Sequence, residues 1–257
     1  MLLKRDLKSI YFPKCRNGLP VFILGILLLY PQICFASTHK VTLPENFYEN
    51  PNKDAVIDLF GEMATRPDLG TSSKTGYRIS TYRIMGFIAR VAQDHPSWIE
   101  DWVPLFSKLD EPKRFLVAMA IASGNSDESE KALSQWAKTG HSKIVALIRS
   151  WDLKTLLKFD VISLDILSTF EGAYRASGDT YYLAQILKGF AMSLPFGPGP
   201  KTPNAVLSHL IPATVFALYN SDQQARLWFD EQIATNTHGV GEILGRMVRH
   251  FSTGQPK

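Results

Sequence analysis

The chain has 257 residues, with 28 basic side chains, 24 acidic side chains and two cysteines. The first 36 residues hold five of the bases and one of the acids, so the remaining 221 residues carry 23 of each and are formally neutral. That balance argues against a nucleic-acid-binding surface, which needs a basic stripe. Both cysteines also lie in the first 36 residues, which excludes disulfides, a cysteine nucleophile and a thiolate metal site from the rest of the chain.

The N-terminal segment has the layout of a secretory signal peptide. A basic stretch over residues 1–17 precedes an apolar run that ends at Ala36, and the longest part of this run without proline, residues 21–30, is too short to span a bilayer of about 30 Å. We predict a signal peptide over residues 1–36, cleaved between Ala36 and Ser37, and an exported protein, periplasmic or secreted. The alternatives are an uncleaved N-terminal membrane anchor and a lipoprotein attached through Cys34.

The rest of the chain shows helical patterns after a short extended lead-in at residues 37–50. From residue 51 to residue 257, apolar side chains recur at helical spacing and strand patterns are nearly absent, which predicts a single α-helical domain. A first helix stops at Pro67, a second covers residues 77–96, and Pro104 predicts a kink or an early stop in a third.

Three later stretches repeat one arrangement, an apolar helix, a polar corner and a second helix. Ala-Ser-Gly occurs at residues 122–124 and again 54 residues later at 176–178, and a third corner lies at residues 220–222. This degenerate repeat predicts an all-α fold, built either as stacked helical hairpins resembling a tetratricopeptide solenoid or as a compact helical bundle.

The corner residues have structural roles in this interpretation. Gly124 and Gly178 are placed to end a helix in the left-handed conformation, and Asp179 is placed to cap the next helix. Two capping boxes are predicted, Ser221 with Gln224 and Asp127 with Glu130. The alternative for residues 176–182, the lip of an active site, has no base or nucleophile nearby in the sequence.

Motifs for catalysis or metal binding are not found. No two histidines stand four residues apart, and neighbouring acids diverge by about 100° on a helix, so no catalytic, cofactor-binding or metal-binding residue is predicted. The competing hypothesis is a helical hydrolase or lyase whose acids converge from separate hairpins. Its candidates are Glu100, Glu111 and either Glu171 or Asp179.

Several side chains form a candidate interaction surface. Trp98 and Trp102 stand one helical turn apart, although aromatic residues at this spacing also suit a core. Tyr181 falls off the apolar face of its helix. The loop at residues 193–204 contains four prolines and two glycines and presents Phe196 and Lys201, unless it serves only as a crossover between hairpins.

One segment resembles a pattern in exported bacterial helical proteins of uncharacterised function. The matching residues are Leu164, Asp165, Leu167, Ala176, Ser177, Gly178, Asp179 and Tyr182. The resemblance implies a helical fold and export. We therefore predict an exported helical-repeat protein that acts as a protein-binding scaffold or adaptor, with another protein as its partner, no cofactor, no nucleic acid, and membrane contact only through an uncleaved leader.

Overall fold

The computed structural model describes residues 42–66, 69, 75–151, 157–158, 163–193, 205–236, 239 and 241–253. They belong to one compact unit, Lys40–Lys257. The predicted leader with its cleavage site at Ala36 and Ser37 lies outside the described residues, as do Phe196 and Lys201.

The all-α prediction is confirmed, since the described residues contain helices and no strand. The helices are α1 Lys53–Thr65, α2 Thr75–Asp94, α3 Ile99–Phe106, α4 Glu111–Gly124, α5 Asp127–Trp136, α6 Ser142–Arg149, α7 Leu164–Ser177, α8 Thr180–Ser193, α9 Ala205–Ser221, α10 Gln223–Thr235 and α11 Gly241–Thr253. Two 3-10 turns, Phe47–Glu49 and Pro96–Trp98, and a π-helical turn, Ala137–His141, complete the set. Within these described segments, no helix is long and apolar enough to cross a membrane.

The corner between α7 and α8 has the predicted construction. Gly178 ends α7 with a φ of +64°, and its N–H donates to the carbonyl of Tyr174. Asp179 accepts the N–H of Tyr181 at 2.9 Å, as a capping side chain does at a helix start. Both assignments made from the sequence are confirmed.

The other two corners are shifted by one residue from the prediction. The N-cap of α5 is Ser126, which accepts the N–H of Ser129, and the N-cap of α10 is Asp222, which accepts the N–H of Ala225 at 2.8 Å. The predicted capping boxes are therefore wrong. Each of these corners has a serine followed by an aspartate, and either side chain can cap; at α10, hydrogen bonds from Tyr48 and Tyr174 hold the aspartate.

The corner between α4 and α5 also ends differently from the prediction. Gly124 is the last residue of α4, and the left-handed position falls on Asn125, with a φ of +51°. Gly124 is needed for space instead, because a Cβ there would lie 2.9 Å from the hydroxyl of Ser129 and 3.1 Å from Ala92. Asparagine is one of the few residues that adopts the left-handed conformation at low cost.

Helices α2 and α7 make the closest crossing in the core. A Cβ at Gly86 would overlap the carbonyl of Thr169, and a Cβ at Gly172 would overlap the carbonyl of Arg83. The two backbones are therefore in contact, because each helix has a glycine where it meets the backbone of the other helix. Helix α2 also packs against α4, and the later hairpins follow in order, with α7 on α8, α8 on α9, and α9 on α10.

Candidate functional site

The corner between α7 and α8 is closed by a buried hydrogen-bond network. Asp222, which is 4% exposed, accepts the hydroxyl of Tyr174 at 2.9 Å and the hydroxyl of Tyr48 at 3.0 Å, in addition to the N–H it caps. The ring of Tyr48 lies against Gly178, where a Cβ would be 2.7 Å away. The amide of Gln224 donates to the carbonyl of Gly178 at 2.9 Å. Three separate parts of the chain are therefore joined at this corner.

The electrostatics of this network favour neutral tyrosines. Burial, followed by the negative charge of Asp222 and the hydrogen bond to it, raises the pKa of Tyr48 to about 12 and raises the pKa of Tyr174 further. Both hydroxyls therefore stay protonated and donate to the carboxylate at neutral pH. A catalytic acid or base needs a pKa near the working pH, so this network is suited to stabilising the fold.

The enzyme hypothesis placed Glu171 and Asp179 among its converging acids, and both carboxylates are engaged in contacts within the fold. Glu171 is 2% exposed and pairs with Arg83 at 2.7 Å and Arg175 at 3.3 Å. Burial by itself would raise the pKa of Glu171, but the two guanidinium groups outweigh it and lower the pKa. A general acid for glycoside cleavage needs the opposite shift. Asp179 caps α8.

The residues of the predicted interaction surface differ in their exposure. Trp102 is fully buried with its ring 5.7 Å from that of Phe60, so it offers no surface to a partner. Trp98 is half-buried and stacks on His95 with ring centroids 4.1 Å apart. Tyr181 is 41% exposed at the start of α8.

The corner between α4 and α5 is open and lines a groove. The groove has a volume of about 280 Å³ and runs between this corner and the C-terminal end of α6. Its lining residues are Ala122, Asn125, Ser126, Asp127, Ser129, Glu130, Leu133, Ile148, Arg149 and Trp151. We call it the α5–α6 groove.

One large apolar side chain, that of Trp151, lines this groove and is exposed, and a second exposed one, Leu147, stands nearby in the sequence without lining the groove. Leu147 is 47% exposed and Trp151 is 44% exposed, four residues further along the chain. The N–H of Trp151 donates to the carbonyl of Ile148 at 3.0 Å, which forms a turn directly after α6 ends at Arg149. The indole meets the ring of Phe115 edge-on, with centroids 5.4 Å apart and planes at 87°. A contact on one side therefore orients the indole while nearly half of it stays exposed.

The charged side chains that line the groove are those of Asp127, Glu130 and Arg149. The first turn of α5 carries Asp127, Glu128 and Glu130. Arg149 reaches from α6 to Glu130 with two guanidinium nitrogens, at 2.8 and 3.2 Å, and to the hydroxyl of Ser134 at 2.8 Å. Among the described residues, Asp127 and Glu128 make no ion pair.

The α5–α6 groove was not predicted from the sequence. Residues 142–151 read as an ordinary amphipathic helix, with Val145 and Ile148 buried. The available signal was a tryptophan directly after the predicted end of an amphipathic helix. The acidic turn was recognised only as a local capping feature.

A second groove lies between the lead-in and α1. It has a volume of about 340 Å³ and is lined by Thr42, Leu43, Pro44, Glu45, Ala55, Asp58, Leu59 and Glu62. Its floor residues Leu43 and Leu59 are buried, and Arg66 pairs with Glu62 at 3.3 Å. Among the residues that the structure describes, no aromatic side chain lines it. Across the described part of the chain, no cluster of three or more histidine, cysteine or acidic side chains is placed to hold a metal ion.

No protein-family model matches the chain, and no curated protein or solved structure matches it either. The function therefore has to be inferred from the site itself.

Proposed function

We propose that this protein is an exported scaffold or adaptor that binds another protein through the α5–α6 groove and the exposed side chains of Leu147 and Trp151. The observation that carries the proposal is the indole of Trp151, which lines the groove with 44% of its surface exposed, together with the exposed Leu147 four residues before it in the chain. Tryptophan is the residue type most enriched among the energetic centres of protein interfaces, especially beside a pocket. Single exposed apolar residues scattered over a surface are common, whereas Trp151 lines a concavity.

Export is the second part of the proposal. It is supported by the basic and apolar N-terminal segment and by the resemblance of residues 164–182 to exported helical proteins. The repeated hairpins support a stacked arrangement, since α7 and α8 contact α9, and α8 also contacts α10. Stacked helical hairpins build extended surfaces that suit protein partners.

The test is affinity capture of the protein from its native compartment in three forms. The forms are the wild type, the double variant Leu147→Ala/Trp151→Ala, and the control Leu227→Ala. Leu227 is 63% exposed on α10, outside the groove, so the control removes apolar surface elsewhere. We expect a stoichiometric partner with the wild type and the control, and its loss by about 10-fold or more in the double variant.

Two further measurements distinguish a loss of the binding surface from a loss of the fold and test the cleavage of the leader. The unfolding free energy of each form shows whether a variant has lost its fold rather than its surface. Mass spectrometry of the captured protein reads its N-terminus, which we expect to be Ser37. The same proteins captured by all three forms would contradict the binding surface, and an intact leader would contradict cleavage. Turnover of a substrate by the wild type without any specific partner would favour the hydrolase or lyase.

A further inference from the structure

Residues 42–50, which we call the strap, precede the first helix and contain a single 3-10 turn. Backbone hydrogen bonds run from the N–H of Glu49 to the carbonyl of Asn46 and from the N–H of Asn50 to the carbonyl of Phe47. Both lie within the strap, and in the described part of the chain no backbone hydrogen bond joins the strap to a helix. The attachment of the strap to the fold therefore comes from its side chains.

Three side chains attach the strap to the helices. Phe47 is 2% exposed, and its ring meets that of Phe87 on α2 edge-on, with centroids 4.9 Å apart. The hydroxyl of Tyr48 donates to Asp222 at 3.0 Å, and Leu43 is buried near the other end of the strap. Two apolar side chains and one hydrogen-bonding tyrosine thus hold a segment of nine residues.

The helical core beneath the strap has contacts of its own. The crossing of α2 with α7 joins backbone to backbone at Gly86 and Gly172, and the strap takes no part in it. Helix α4 packs on α2 and buries Val117 and Ile121 completely. A segment with few contacts opens at a lower free energy than a densely packed core. The strap can therefore detach while these helices stay packed.

Detachment of the strap would change the surroundings of Asp222. This carboxylate caps α10 through the N–H of Ala225 at 2.8 Å and accepts the hydroxyls of Tyr174 and Tyr48. Without Tyr48 it loses one of these three donors, and water reaches a group that is otherwise buried. Water then competes with the backbone N–H for the same carboxylate oxygens. The first turn of α10 is therefore held more weakly when the strap is detached.

We propose that the strap is a conformational device: it detaches as a unit while the helical core stays folded, and its docking holds the start of α10 through Asp222. In the docked state Phe47 covers Phe87, and in the detached state this ring and the carboxylate are uncovered. The inference goes beyond the proposed binding function and is independent of it, because the residues lining the α5–α6 groove are not those of the strap.

The experiment measures how fast a buried thiol in the purified exported protein reacts with a thiol reagent. Beyond residue 36 the chain has no cysteine, so a single introduced thiol can be followed by mass spectrometry. Leu43→Cys reports opening of the strap, and Val117→Cys in α4 reports opening of the core. With each rate divided by that of the same variant unfolded in urea, we expect the thiol at position 43 to react at least ~10-fold faster.

Two further substitutions, each placed in both cysteine variants, separate the strap from the core. Tyr48→Phe removes a hydrogen bond to a carboxylate and should speed labelling at position 43 by about 10-fold. Ile121→Val, the matched control, loosens α4 and should speed labelling at position 117 by about 3- to 10-fold. It should leave position 43 within about 2-fold of its original rate, because opening of the strap does not involve α4.

Amide hydrogen exchange tests the connection to α10. The N–H of Ala225, which Asp222 accepts, should exchange at least ~3-fold faster in Tyr48→Phe and be unchanged in Ile121→Val. Equal labelling at positions 43 and 117, or an equal effect of Ile121→Val on both, would show that the strap opens only with the whole fold. Unchanged exchange of Ala225 in Tyr48→Phe would show that the strap does not hold α10. Each of these outcomes overturns the inference and leaves the capture comparison of Leu147→Ala/Trp151→Ala with Leu227→Ala unaffected.

Discussion

Two corners of this protein share the triplet Ala-Ser-Gly but differ in the side chains that pack against them. At residues 176–178 the corner is closed, with Tyr48 packed on Gly178 and Asp222 bound to two tyrosines. At residues 122–124 the corner is open and forms one side of the α5–α6 groove. The first corner uses its polar groups within the fold, and the second leaves carboxylates and an indole at the surface.

The comparison shows that neighbouring segments, rather than the corner's own residues, determine whether its polar groups are used within the fold or left at the surface. Both corners end one helix and cap the next, which satisfies the backbone groups that a helix end exposes. The closed corner receives side chains from the lead-in and from the start of α10. The open corner faces the end of α6, which supplies Arg149 and Trp151 instead.

The largest effect should come from removing the acceptor at the closed corner. Asp222→Ala deletes a cap and leaves the hydroxyls of Tyr48 and Tyr174 without their acceptor. We expect a loss of about 3–5 kcal/mol in the free energy of unfolding. At the open corner, Ser126→Ala removes a cap and one hydroxyl contact to Ser129, and should cost about 1–2 kcal/mol. Denaturant unfolding of both variants checks the contrast, and equal losses would break it.

The glycine of the closed corner gives a smaller and more specific effect. Gly178→Ala introduces a Cβ at a left-handed position and against the ring of Tyr48, so we expect a loss of about 2–4 kcal/mol. Gly239 has a φ of +69°, close to that of Gly178, with open space around it, which makes Gly239→Ala the control for backbone strain alone. That control should cost about 1–2 kcal/mol. A Gly178→Ala loss no larger than the control's would show that Tyr48 does not close the corner.

Much of this fold could be predicted from the sequence, because helix patterns and corners are local. The helical class, Gly178 and Asp179 follow from spacing and capping rules. The cap of α10 could not be assigned because Tyr48 and Tyr174, which hold Asp222, lie far away in the chain. The glycine contact of α2 with α7 and the pairing of Glu171 with Arg83 could not be predicted for the same reason, because each joins residues that are far apart in the sequence.

The candidate site was less predictable than the fold. Trp102 was placed on a candidate surface because tryptophan at a helical spacing suits both a core and an interface. Only three-dimensional packing shows that Trp102 is enclosed while Trp151 keeps 44% of its surface exposed. Tyr181 remains a candidate contact, since it is exposed as its position on the helix indicated.

A smaller effect should appear in alkaline solution, where the closed corner depends on protonated tyrosines. The pKa of Tyr174 is raised in the fold, so the unfolded state loses its proton first, at about pH 10. Stability from this group is complete below pH 10 and falls as the pH rises above it. Tyr174→Phe should cost about 1 kcal/mol at neutral pH and reduce the alkaline slope of the unfolding free energy. An unchanged slope would contradict the raised pKa of Tyr174 in the folded protein.

Hydroxyl-radical labelling of the captured complex tests most directly whether the open corner is the binding surface. Labelling rates are compared, residue by residue, between the free protein and the protein with its partner bound. We predict that Leu147 and Trp151 lose most of their labelling on binding, while Tyr181 and Leu227 keep theirs. Protection of Tyr181 or Leu227 with Trp151 unchanged would place the partner elsewhere and contradict the account.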